Sequence, residues 1–192
     1  MVPAPFIVVL DANVLFPFSL RDTMLRAAAA DFYQVRWSSQ ILDEMTINLT
    51  SSSVMPMEKA ARLRAVMTSV FPEAEVTGYE YLITVMKNQE KDRHVAAAAL
   101  KAGAQVIVTS NLRDFAELPE GIEAQSPDEF LCNLFDLNPD GFVELLREQA
   151  ADLVNPRVTL DELLDRLARV VPAFVAAVRK HMSDLSGSQA PA

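Results

Sequence analysis

The sequence predicts an α/β domain built on a parallel sheet, followed by a run of helices without strand signals. Three observations predict it. Two continuous apolar runs, "FIVVL" at 6–10 and "AQVIVT" at 104–109, have the character of strands buried on both faces, as in parallel sheets. Strand and helix signals alternate as far as about residue 137, which is the pattern of stacked βαβ units. Beyond that point only helix starts and amphipathic stretches follow.

Taken in order, 6–10 is the first strand. Ser19 followed by Asp22 reads as a helix start ahead of "LRDTMLRAAAA". "YQVRW", 33–37, is a second strand, and Ser38 or Ser39 can cap the helix "QILDEMTINL", in which Ile41, Met45 and Leu49 share one face. Pro56 opens a helix with Ala60, Leu63, Met67 and Val70 as its apolar stripe. A short strand is expected at 74–76 and a helix over "YEYLITVMK". Asp92 begins the alanine-rich helix "DRHVAAAALKA", which Gly103 closes. The strand 104–109 leads into the loop "SNLRDF", and a last short strand falls at 122–124. Ser126-Pro127-Asp128-Glu129 has the cap, proline and glutamate of a helix start. Asn138-Pro139 starts another helix. Thr159 with Glu162 makes a capping box for a third, which Pro172 kinks or breaks. The expected division is a domain over 1–137, a helical extension over 138–185 and a disordered tail over 186–192.

Composition limits what such a chain can do. With 192 residues and 51% hydrophobic content it can bury a sizeable core. One cysteine, Cys132, excludes an internal disulfide, and with two histidines it excludes a multi-cysteine zinc site. No apolar run is long enough to span a membrane, and the N-terminal run lacks a basic flank, so a soluble cytoplasmic protein is expected. The net charge of −9 argues against an open, basic nucleic-acid platform. The acids are either spread over a solvated surface or gathered to hold a cation.

Their positions favour gathering. In an open α/β sheet, ligands bind at the carboxyl ends of the strands. Asp11 ends the first strand, and Ser110–Asp114 follows the strand 104–109. Glu44 lies beside Ile41 at the rim of a buried helix face, and Asp92 leans to the side of Val95 and Ala99. Each has a plain alternative as a cap, turn or surface residue. As a set, Asp11, Glu44 and Asp92 come from three elements and can meet at one end of the sheet. Converging carboxylates repel unless a cation or a proton intervenes, and an all-oxygen set suits Mg²⁺ or Mn²⁺.

On "VVLDANVL" (8–15), "SSQILDEM" (38–45) and "DRHVAAAALKAGAQVIVTSNLRDF" (92–115), the sequence resembles the PIN-domain nucleases, in particular the toxins of VapBC-type toxin–antitoxin pairs. The resemblance covers 6–135. It implies a three-layer sandwich about a central parallel sheet and a metal-dependent endoribonuclease that hydrolyses RNA phosphodiester bonds with Mg²⁺ or Mn²⁺. Asp11, Glu44 and Asp92 carry over as the acidic metal-binding set, with Asn13 and Thr109 supporting. Where many members have a further acid, this chain has Asn111; Asp114 is the acid offered instead, and either can complete the site. Arg21, Lys87, Lys91, Arg93 and Arg113 lie near the motifs as an RNA-contacting fringe, each with ordinary solubility as its alternative. The resemblance also implies a small cognate antitoxin and a homodimer. Two rival readings are a catalytically idle PIN-like binding module and a haloacid-dehalogenase-like phosphatase. The latter needs an acid where this chain has Asn13.

Overall fold

The structure, a computed structural model, describes residues 6–187. They group into two compact units, residues 6–18 with 31–126 and residues 19–30 with 127–187.

The first unit is a five-stranded, all-parallel sheet: β1 (Ile7–Leu10), β2 (Gln34–Ser38), β3 (Glu75–Val76), β4 (Val106–Val108) and β5 (Glu123–Gln125), in the order β3-β2-β1-β4-β5. β1 is central. Val8, Val9 and Leu10 have no exposed surface, which explains the unbroken apolar run. Val8 pairs with Val35 on one side and Val106 on the other. The chain order reverses between β1 and β4, so the crevice outside their carboxyl ends is the topological switch point.

The helices of this unit follow the sequence signals with informative exceptions. A one-turn helix, α1 (Ala12–Leu15), begins directly after Asp11; four residues carry too little periodicity to announce themselves. α2 (Phe18–Ala29) starts one residue before the Ser19 signal and runs into the second unit. In the first unit, α3 (Ser39–Ser51) is capped by the Ser38 hydroxyl, which accepts from Ile41 N. α4 (Met57–Val70) buries Ala60 and Met67 but leaves Val70 58% exposed, so the expected stripe ends a turn early. The stretch expected as a helix over "YEYLITVMK" is a 3₁₀ helix, Glu80–Val85. Tyr79 and Met86 at its ends are buried, while Tyr81 and Val85 face outward. α5 (Arg93–Ala102) is preceded by a 3₁₀ turn at Glu90–Asp92 and closed by Gly103 at φ +65°. Residues 95–99 of α5, one valine and four alanines, are buried all round, and such small side chains let the helix lie close to the sheet.

The second unit is helical: α2 from Ser19, α6 (Pro127–Leu137), α7 (Pro139–Asp152), α8 (Leu160–Leu167) and α9 (Pro172–Gly187). Phe135, Phe142 and Phe174 meet edge to face with centroids 5.4–6.3 Å apart. Asn138 Oδ1 accepts from Gly141 N, and the Thr159–Glu162 capping box is complete. Pro172 breaks the chain between α8 and α9 and is the first residue of α9. Helix α6, expected with the first domain, packs against α7 and α9. The reason is legible at Asp128, whose carboxylate accepts from Ala173 N and Phe174 N and so caps α9. Of the expected tail, Ser186 and Gly187 complete α9, and 188–192 lie outside the described residues.

Candidate active site

Asp11 leaves β1 at the switch point and is 4% exposed. Its backbone carbonyl closes the turn to Val14, but its carboxylate does not cap α1. The side chain is therefore free for other work. Thr109, the residue after β4, donates its hydroxyl to Asp11 Oδ2 at 2.7 Å. The Asn13 amide donates to the same oxygen and to Thr109 Oγ1, while its carbonyl oxygen accepts from Ser110 N at 2.9 Å. Asn111 N in turn donates to Thr109 Oγ1. This lattice ties the ends of β1 and β4 together and fixes one oxygen of Asp11. Burial pushes the Asp11 carboxyl above the usual range; the Thr109 hydroxyl and the Ala12 amide pull the other way, and nearby Glu44 adds to the rise.

Asp92 immediately precedes α5 yet makes no capping hydrogen bond. Its Oδ2 is buried and has no hydrogen-bond partner, at a typical cost of about 1–3 kcal/mol for such a group. Burial raises its carboxyl too. Lys91 opposes this, and Asp11 and Asp114 reinforce it. Asp114 sits in a 3₁₀ turn, Leu112–Phe115, and is held by Lys91 Nζ at 2.8 Å, which lowers its carboxyl; the same Nζ is 3.6 Å from Asp92 Oδ2. Glu44, half-buried on α3, lies 2.9 Å from His94 Nε2 on α5. The ring is not aligned for a directed hydrogen bond, and neither His94 nitrogen has one.

Electrostatic coupling thus joins Asp11 to Glu44 and to Asp92, and Asp92 to Asp114. Of the two alternatives for completing the set, Asp114 is the one beside Asp92; Asn111 is exposed and contributes its backbone amide. As they stand, no three His, Cys, Asp or Glu side chains among the described residues are gathered closely enough to hold a metal. The donor set nonetheless fits a hard divalent cation. It is all oxygen, two of its members are destabilised as anions by burial, and Asp92 presents a buried oxygen without a hydrogen-bond partner.

The basic fringe divides. Lys91 is committed to Asp114 and Asp92. Arg93 donates from Nε to the Asn88 carbonyl, and Lys87, Arg93 and Arg113 line one polar cavity beside Asp114. Arg21 corrects the expectation: it is 4% exposed and belongs to the helical unit, so it offers no open contact to RNA. Its position on the buried face of α2 could have been read from its place one residue after Leu20 and three before Met24. Two features of the site lie beyond sequence reasoning. The contact of His94 with Glu44 has no signal in sequence, because it joins α3 to α5. Asn88, whose two side-chain polar atoms are buried without partners, sits in an aperiodic loop.

Comparison with known proteins agrees with this geometry. A family model described as "PIN domain" matches residues 7–113, and one described as "VapC50 C-terminal domain" matches 127–180. A curated protein of Mycobacterium tuberculosis (strain ATCC 25618 / H37Rv), named "Putative ribonuclease VapC50", is 40% identical over 106 residues. That alignment covers 54% of this chain and 63% of the relative. No solved structure matches. A match over more than half of the chain sets the dehalogenase-like reading aside: the chain belongs to the PIN-domain family.

Proposed function

We propose that the chain is a divalent-metal-dependent endoribonuclease, the toxin of a VapBC-type pair. The observation that carries this reading is the mutually repelling pair at the switch point, buried Asp11 and part-buried Asp92, an arrangement that disfavours the anions until a cation joins them. Asp11, Asp92, Glu44 and Asp114 are the residues that would hold Mg²⁺ or Mn²⁺. When bound, such an ion activates water and neutralises charge on the phosphate under attack.

The chain's own residues divide the remaining work. Thr109 and Asn13 hold Asp11 Oδ2 in one orientation. His94 packs against Glu44 and limits where that carboxylate can point. Lys91 neutralises Asp114 until the substrate's phosphates compete for it. Arg93 and Arg113 supply positive charge beside Asp114, which offsets the overall acidity where RNA would lie. A small cognate antitoxin, a homodimeric assembly and a cytoplasmic location complete the reading. It accords with the lack of any membrane-length apolar helix among the described residues.

Purified protein is expected to cleave single-stranded RNA with Mg²⁺ or Mn²⁺ and not with EDTA. Asp11→Asn or Asp92→Asn should lower the rate by about 10³-fold or more, roughly 4 kcal/mol. Metal-independent cleavage that survives both substitutions would sink the mechanism. The second reading, an idle PIN-like binding module, draws on the separation of the acids. Calorimetric titration with Mn²⁺ separates the two, since the idle module would release no heat of binding.

A further inference from the structure

The 3₁₀ turn Glu90–Asp92 is pinned to the turn that carries Asp114. Gln89 N donates to the Asp114 carbonyl at 3.0 Å, and Asp92 N donates to the Gln89 carbonyl at 2.9 Å. Backbone bonds thus bring Lys91, Asp92 and Asp114 together. Lys91 Nζ lies 2.8 Å from Asp114 Oδ2 and 3.6 Å from Asp92 Oδ2, the oxygen that is buried without a hydrogen-bond partner. The Asp92 and Asp114 carboxylates also repel each other. Arg93, the next residue, turns its Nε to the Asn88 carbonyl instead. The Lys91 side chain is 65% exposed, so the two carboxylates rather than packing set its place.

Neighbouring carboxylates ionise together readily only beside a cation. An ammonium is a compact point charge on a flexible stem and can serve as that cation. Asp11 and Glu44 have other neighbours: Thr109 and Asn13 hold the first, and His94 lies against the second. The lysine therefore claims one side of the acidic set and leaves the other open. We infer that Lys91 is the resident counter-cation of this site: its ammonium holds the Asp92–Asp114 pair in the free protein and limits the four carboxylates to one divalent ion. The inference rests on the nuclease reading for the presence of a metal-binding set. It adds what fixes the number of ions that set can take, a charge supplied by the chain itself.

The test counts Mn²⁺ bound to the full chain without RNA, from the electron paramagnetic resonance signal of the unbound ion. The wild type should take one ion. Lys91→Met, which keeps the stem and removes the charge, should take two. Lys91→Arg keeps a cation beside the carboxylates and should take one again. Lys91→Met combined with Asp114→Asn restores the net charge of the wild type and breaks the pair, so its count should also return to one. That variant separates the Asp92–Asp114 pair from ions gathered by the overall acidity of the chain. Melting curves verify folding, and Lys91→Gln carries the same readout should the methionine not fold. A wild type that already takes two ions overturns the role of Lys91. So does a wild type that takes one with no gain in Lys91→Met or Lys91→Gln, or a double variant that keeps two; in each of these cases the metal-dependent reading stands. Absence of Mn²⁺ from the wild type and from Lys91→Met alike ends both.

Discussion

The two units treat buried polar groups in opposite ways. In the helical unit, Thr23 and Gln149 are fully buried and fully used. The Thr23 hydroxyl donates to Gln149 Oε1 at 2.8 Å, and Gln149 Nε2 donates to the Ser19 carbonyl. In the sheet unit, the buried side-chain atoms without hydrogen-bond partners among the described residues fall on Trp37, Asn88, Asp92 and His94. Asp92 is one of the carboxylates, His94 touches Glu44, and Asn88 lines the cavity that Asp114 also lines. An unmet polar group costs stability, and a fold retains that cost where a ligand can relieve it. The difference marks the helical unit as finished and the sheet unit as awaiting something.

The comparison can be broken most severely in the finished half. Gln149→Leu removes the bonds of Gln149 to Thr23 and to the Ser19 carbonyl, leaving the Thr23 hydroxyl only that carbonyl, and should destabilise by about 1–3 kcal/mol, measured by urea denaturation, with cleavage by the folded fraction unchanged. The same class of change in the unfinished half should act with the opposite sign. Asp11→Asn removes a charge that burial disfavours, and should stabilise the metal-free protein by about 1 kcal/mol while it silences the site. A loss of stability in Asp11→Asn would show that the Thr109 and Asn13 lattice needs the anion.

The smallest effect is in pH. Burial holds the Asp11 and Asp92 carboxyls above their ordinary range. Their contribution to metal-free stability is therefore complete below the unfolded-state value near 4 and is lost as pH rises through the folded values. Metal needs both ionised, so the rise in Tm caused by Mn²⁺ should grow from pH 5 to pH 8, as thermal melts would show. A Mn²⁺ shift that is flat with pH would remove these two carboxylates from the binding set.

Much of this was legible in the sequence because local chemistry and global fold agree there. The runs at 7–10 and 106–108 are apolar on every residue since both faces are covered. Gly103, Thr159 and Pro172 belong to the few residue types that suit the ends they mark. Asp11 was legible because a carboxylate after a buried strand demands a reason. What stayed hidden depends on contacts across the chain. Asp128 looked like part of its own helix start, yet it caps α9, forty-five residues on. The buried Arg21 lies on a helix whose partners appear only after residue 126. Asn88 is silent because an aperiodic loop does not reveal which side chains turn inward.

That division of α2 from its neighbours in sequence has a consequence for how the protein is made. Residues 19–30 leave the ribosome early, but the helices they pack with begin at 127. The sheet and its carboxylates can assemble while Leu20, Met24 and Ala27, buried in the finished protein, still wait for partners about a hundred residues away. Such long-range closure is slow and exposes apolar surface meanwhile. A nascent chain cut short at 126 would carry a complete set of site residues beside an uncovered helix. Such a fragment invites aggregation or proteolysis, so completion of the last helices acts as a timer on when this carboxylate site becomes a lasting protein.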